Sequence, residues 1–404
     1  MSELFSRSEA MRYRPPPSMF PACEQCQIYR GCQSKKMKPS GKGEKRILIV
    51  GDYPGIEEDR EGRQFVGPSG RYLRGVLDDY GIDMNRDCVT TNALICYSEN
   101  PGSHKTAIAD CRPNLLRTIR EVNPEIILLL GGSAVRSLIA HLWKGEVGVI
   151  GRWVGWRIPC QSINTWICPS WNPAHIVYER NKDNPNKSLE LHFREHILAA
   201  VSLLGRPWKE VPDYRKQVEV IFNPEEAAAR IGKYTSRLVA FDYETATLKS
   251  QSPHAEIVCC GVCWQGKETI AFPWTNGTRK AMKALLENPD VGKIGASNQF
   301  EHLHSESQGI EVRGWIWDTV NNAHLLDTRI GGITGVKFQA FVQKGVEDYA
   351  YNIAPFLESD GGSGNSKNRI REVDPRLLMI YCGMDALVEW HIAMKQAEEA
   401  GVIL

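Results

Sequence analysis

The sequence lacks several features that would place a protein quickly. No apolar run is long enough to span a membrane. The opening, MSELFSRSEAMRYRPPPSMF, has no apolar segment of the signal-peptide kind. A cytoplasmic location is therefore expected. Net charge is nearly absent, at +1 over 404 residues, so bulk charge points to no partner. No internal repeat relates the two halves. Cysteine, by contrast, is plentiful at 12 residues. In a cytosolic chain that number argues for core residues or metal ligands, not a disulfide framework.

A hydrophobic content of 42% is enough for real cores, and 404 residues are too many for one ordinary domain. The expected fold is α/β in two domains. Residues 1–46 hold ten Lys or Arg against four Glu, a basic stretch that on its own reads as solvated surface. RILIVGDYPG reads as a buried strand closed by a Pro-Gly turn. EIILLLGG is a second apolar run, followed by the helix SAVRSLIAHLWKG. Continuous apolar runs alternating with helices predict a parallel sheet. LHFREHILAAVSLLG is an amphipathic helix stopped by Gly205. The expected boundaries are a basic arm at 1–19, a domain at 20–205, a proline-containing linker at 206–216 and a domain at 217–404. In the second domain VEVIF, RLVAFDYET, EIVCCGVCW and ETIAFPW read as strands, and the rest reads as helices. GGSGNSKN is a flexible loop by composition.

FDYET places Asp242 and Glu244 two residues apart in a strand, so both carboxylates point to one face. Two acids on one buried face repel unless a cation sits between them. Asp385 follows Tyr381 by four residues, which stacks the two on one helix face. Asp-x-Glu alone usually marks a solvated strand or turn, and Tyr-x-x-x-Asp is weaker still. Their conjunction, in this order and on these elements, is far more specific.

Together they resemble the proofreading 3′–5′ exonuclease domain of family A DNA polymerases, over about residues 215–404. The resemblance implies a ribonuclease-H-like mixed sheet and a site for two Mg²⁺ or Mn²⁺ ions. Asp242, Glu244 and Asp385 would hold one ion, and Asp242 with Glu301 would place the other. Tyr381 would orient the attacking water. The family's Asn-x-x-Phe/Tyr-Asp motif corresponds to ASNQFEHL, where Phe300 fits, Glu301 stands for Asp, and Asn298 falls one step after the Asn position at Ser297. Asp318 in WDT would support the site.

Cys23-x-x-Cys26 is a ligand pair by spacing, and Cys96 and Cys111 form a second pair. Four such cysteines suit Zn²⁺ or a [4Fe–4S] cluster, and spacing alone does not choose. The surroundings VGDYPGIEEDREGRQFVGPSGRYL, TNALIC and CRPNLLRTIREVNPEIILLLGGSAVRSL resemble family 4 uracil-DNA glycosylases, over about residues 20–205. That resemblance implies a [4Fe–4S] cluster on Cys23, Cys26, Cys96 and Cys111, with Cys32 near enough to compete. It also implies a pocket for a flipped base, with Phe65 stacking on it and Asn92 bonding its edge. The remaining cysteines read as small core residues. The pattern departs from the family at Asp52, which stands for a Glu, and at Tyr53, a large residue that would crowd the pocket. It departs again at Asn172-Pro173-Ala174, which stands for His-Pro-Ser. His175 is nearby but out of place.

The expectation is a two-metal 3′–5′ DNA exonuclease, in proofreading or repair, fused to a glycosylase-like DNA-binding domain. Its partners would be DNA 3′ ends, single-stranded, and a separate polymerase, although the chain could also be part of a longer polymerase. The architecture would suit a phage genome. Two other readings are a bifunctional enzyme that excises uracil and trims DNA, and a non-enzymatic replisome accessory protein.

Overall fold

The computed structural model describes residues 21–404 apart from 101–105, 207–211, 235, 267, 330–331 and 360–362. The arm at 1–19 lies outside the described residues, as do 207–211 of the linker and 361–362 of the GGSGNSKN loop. Two compact units emerge, one within Arg12–Glu210 and Val342–Glu347, the other within Val211–Phe341 and Asp348–Leu404.

The N-terminal unit is built on β1 (Ile47–Gly51), β2 (Cys88–Asn92), β3 (Ile126–Leu130), β4 (Ile158–Cys160) and β5 (Thr165–Ser170). They lie in the order β2-β1-β3-β5-β4, and every pair is parallel except β4 with β5. Every residue of ILIVG and IILLL is buried, as a parallel sheet covered on both faces requires. Ile47, Ile49, Leu128 and Leu130 meet Leu73 and Leu77 of helix Pro68–Asp79 and Phe193 and Ile197 of helix Lys187–Val201 in one core. The latter helix ends at Val201, four residues before the expected stop at Gly205. Because the strands run parallel, their carboxyl ends gather at one edge. Asp52, Asn92, Gly131 and Asn172 all lie at or just past strand ends there, where such sheets open a crevice.

The C-terminal unit contains β6 (Val218–Val220), β7 (Leu238–Thr245), β8 (Ile257–Trp264), β9 (Glu268–Pro273), β10 (Gly292–Gly295) and β11 (Trp315–Asp318). Their order is β11-β10-β7-β8-β9-β6. β7, β8 and β9 form an antiparallel meander, while β10 and β11 extend it in parallel beyond β7. The sheet is mixed, as expected. β10 and β11 correct the expectation that everything after β9 is helical. GKIG and WIWD are four residues each, too short to carry a period, and the sheet recruits them through pairing.

Helix Pro375–Ala400 lies across β7, β8 and β9. It corrects a second expectation. By length and composition alone its 26 residues could cross a membrane, yet 78% of its most apolar window is buried inside the unit. The sheet takes the place of lipid. The approach is close, because a Cβ on Gly261 of β8 would strike the Cys382 carbonyl and the Gly383 backbone. That contact brings the helix's chemistry directly over β7.

Candidate functional site

Alternation along β7 sends Tyr243 into the hydrophobic core, where its hydroxyl meets Ser305 Oγ at 3.1 Å. Asp242 and Glu244 face the other way, toward helix Pro375–Ala400. Asp242 and Glu244 oxygens and Cys382 Sγ all lie within 4.8 Å of one another. Asp242 is partly exposed; Glu244 and Cys382 are buried. Asp385 and Tyr381 come from the same helix. Both Asp385 oxygens have partners: Lys337 Nζ donates to Oδ2 at 2.6 Å, and the Tyr349 hydroxyl donates to Oδ1. Tyr381 is buried, with Lys337 Nζ 4.9 Å from its ring centroid.

Glu301 is 3% exposed and its Oε2 has no hydrogen-bond partner among the described residues. Glu389, one helical turn beyond Asp385, is 2% exposed and has the same orphaned oxygen. Burial, then the Asp385 charge, pushes the Asp242 carboxyl up to about 8. Burial, then Asp242, raises Glu244, Glu301 and Glu389 as well. Burial opposes the Lys337 charge, but Asp385, Tyr349 and Asp242 outweigh it and hold the ammonium above its ordinary range. Five carboxyl groups thus share a buried region with the Lys337 ammonium. Orphaned oxygens and mutual repulsion are what a site for divalent cations looks like, and the oxygen donors fit one.

Asp318 has a different job. It accepts the backbone N–H groups of Ser297, Asn298, Val320 and Asn321 at 2.9–3.2 Å. It ties the start of the helix bearing Glu301 to the start of helix Thr319–Leu326.

In the N-terminal unit, Asp52 lies just past β1. Its Oδ1 accepts the N–H groups of Ser133 at 2.6 Å and Ala134 at 3.0 Å, in the first turn of helix Gly132–Leu142. Its Oδ2 accepts Asn172 Nδ2 at 2.8 Å. Gly131 has φ +118°, and a Cβ there would strike the Asp52 carboxylate. Burial raises the Asp52 carboxyl, against these hydrogen bonds. Asn172 also caps helix Pro173–Arg180 through Oδ1 and Ala174 N–H at 2.8 Å. Both residues are therefore joined in a structural clamp.

Phe65 and Asn92 lie against Gly51, where a Cβ would meet both side chains. Asn92 Nδ2 donates to Gln64 Oε1, and Gln64 Nε2 is buried without a partner among the described residues. Tyr53 is 43% exposed, out toward solvent. His175 is with Trp171, ring centroids 6.1 Å apart.

Cys23, Cys26, Cys96 and Cys111 line one pocket with Ile28, Tyr29, Leu94 and Ile95. Among the described residues, no three of these sulfurs lie within 4.8 Å of one another. Burial pushes the Cys96 thiol up to about 12 and raises Cys111. Cys32 sits beside Cys96 but does not line the pocket.

Four site residues escaped the sequence reading. Glu389 could have been found by its i,i+4 spacing from Asp385, and Gln64 by its place beside Phe65. Lys337 and Tyr349 are far from every motif, and only folding brings them to Asp385.

These units define a two-domain α/β protein with a parallel-sheet pocket domain and a mixed-sheet acidic-site domain. Residues 39–194 match the uracil DNA glycosylase superfamily model, so the N-terminal unit carries a domain of that superfamily. A type-4 uracil-DNA glycosylase from Thermotoga maritima is 28% identical over 187 residues, 45% of this chain and 91% of that protein. One from Saccharolobus solfataricus is 27% identical over 179 residues, 43% of this chain and 79% of that protein. Structural neighbours of the C-terminal region include nucleases and a polymerase. Trypanosoma brucei RNase D in complex with GMP has a TM-score of 0.36 at 16% identity, covering 45% of this chain and 57% of that one. A Mycobacterium smegmatis polymerase with primer-template DNA has a TM-score of 0.33 at 13% identity, covering 45% of this chain; the chain spans only 27% of its length.

Proposed function

We propose that the protein is a DNA-processing enzyme whose C-terminal unit is a two-metal 3′–5′ exonuclease and whose N-terminal unit holds DNA without excising uracil. The observation that carries the nuclease reading is the buried group of Asp242, Glu244, Glu301, Asp385 and Glu389, with two orphaned carboxylate oxygens facing a charge deficit. Asp242, Glu244 and Asp385 would hold one Mg²⁺ or Mn²⁺, and Glu301 with Asp242 the second. When bound, such ions supply a hydroxide nucleophile and neutralise the phosphate being cut. Lys337 fixes the Asp385 carboxylate, and Tyr381, kept neutral by burial and the neighbouring acids, offers its O–H to orient water. The substrate would be a single-stranded DNA 3′ end, handed over by a separate polymerase in the cytoplasm.

For the N-terminal unit, Cys23, Cys26, Cys96 and Cys111 would hold a [4Fe–4S] cluster. The Lys36 N–H to Cys96 Sγ contact at 3.4 Å and the Asn114 Nδ2 to Cys111 Sγ contact at 3.5 Å are the kind that support cluster thiolates. Phe65 would stack on an extruded base. Asp52, with both oxygens engaged, is poorly placed to activate water.

A 5′-labelled single strand with one internal uracil tests both halves. In Mg²⁺, a ladder of 3′ trimming is expected. In EDTA followed by alkali, an intact strand is expected. No ladder in either Mg²⁺ or Mn²⁺ would sink the nuclease reading, and a break at uracil in EDTA would make the protein bifunctional.

A further inference from the structure

Cys382 sits where hard-cation chemistry has no use for it. Its Sγ is 3.4 Å from the Asp242 carbonyl oxygen and 3.6 Å from Asp242 Oδ2, and it belongs to the tight triad with Asp242 and Glu244. It is fully buried, whereas Asp242 is partly exposed. Glu301, 97% buried with an orphaned oxygen, feels the Asp242 charge and adds a further oxygen donor to the surroundings. Cys259 on β8 lies opposite Glu244 and against Cys382.

We propose that Asp242, Glu244 and the Cys382 sulfur form a binding site for a thiophilic divalent cation of the Zn²⁺ class. The inference rests on reading this region as a cation site. Two carboxylate oxygens and a thiolate match the borderline-soft preference of Zn²⁺, and first-row affinities in such mixed sites rise toward the end of the series. As the sulfur–metal bond forms, the Sγ proton leaves to solvent. Mg²⁺, which takes oxygen ligands, gains nothing from the sulfur. A thiophilic ion would thus occupy the acidic site more tightly than the ion that supports hydrolysis, and hold the nuclease inactive.

The test uses the full chain with its N-terminal cysteines loaded with their cluster. Co²⁺ is added anaerobically to wild type, Cys382→Ala, Cys259→Ala and Asp242→Asn, and the ultraviolet difference spectrum is recorded. A thiolate-to-cobalt charge-transfer band is expected in wild type and Cys259→Ala, and is expected to vanish in Cys382→Ala and Asp242→Asn. Zn²⁺ should displace the cobalt, with affinity falling by about 100-fold or more in Cys382→Ala, since even an outer partner is worth about 10–100-fold. A band that survives in Cys382→Ala overturns the assignment. If Cys382→Ala does not fold, wild type against Asp242→Asn decides it. No band in wild type that trims DNA in Mg²⁺ sinks the thiophilic site and leaves the nuclease standing. A band in wild type that does not trim supports the site and counts against the nuclease.

Discussion

Asp52 and Asp242 are both partly exposed acids set by a core strand, yet their surroundings are opposite. Asp52 receives three hydrogen bonds, from Ser133, Ala134 and Asn172, and a helix N-terminus behind them. Asp242 faces Glu244, Glu301, Asp385 and Glu389, with Lys337 as counter-charge. A carboxylate whose lone pairs are filled by the fold is a fastener. A group of carboxylates that the fold leaves short of donors is a site for a ligand that brings positive charge. The same residue type therefore has contrary meanings in the two units, and its hydrogen-bond partners tell them apart.

The sharpest way to break this contrast is Asp242→Ala. We expect Mg²⁺-dependent trimming to fall by about 10³-fold or more, ~4 kcal/mol of transition-state stabilisation, measured on a labelled oligonucleotide. Unchanged trimming would mean that the acidic group is not the nuclease site. Next in size is Cys23→Ser, expected to remove the iron and sulfide content and the brown absorbance of anaerobically purified protein. Retention of full iron would reject the ligand set.

Asp52→Ala should lower the stability of the N-terminal unit by about 2–4 kcal/mol, since it leaves Asn172 and two helix N–H groups without their acceptor, and calorimetry would read this. A new ability to act on DNA, or no loss of stability, would remove the fastener reading. Glu389→Gln should do the reverse in the C-terminal unit. A neutral amide of the same shape spares the folded unit the cost of protonating this buried acid, which should raise its melting temperature in EDTA and shrink the gain that Mg²⁺ gives.

The smallest effect is in pH. Folding raises Asp242 from its ordinary range to about 8, so the folded unit favours the protonated acid. Its contribution to stability is full below about pH 4 and is lost as pH rises toward 8. In EDTA the melting temperature of the C-terminal unit should fall across that window, and Mg²⁺ should reverse the fall. A flat profile would mean that the acids are not as mutually repelling as their burial implies.

Much of this was legible in order along the chain. Runs such as ILIVG and IILLL read as strands because continuous apolar residues have few other homes, and Asp242-x-Glu244 read as one-faced because strand alternation is fixed by backbone geometry. Tyr381 and Asp385 read as neighbours for the equally local reason of helical pitch. β10 and β11 were not legible, because four-residue strands exist through their partners. Nor was the apolar helix Pro375–Ala400 distinguishable from a membrane span until β7, β8 and β9 were seen to cover it.

The sequence by itself determined the local facts: two α/β halves, paired cysteines and acids at set spacings, each a matter of bonds and dihedrals within a few residues. Tertiary structure alone decided which of those groups meet. Lys337 and Tyr349 reach Asp385 across 48 and 36 residues, and Asn172 reaches Asp52 across 120. Whether a buried acid is satisfied or left wanting depends on partners supplied through space, and chain order does not encode their distance.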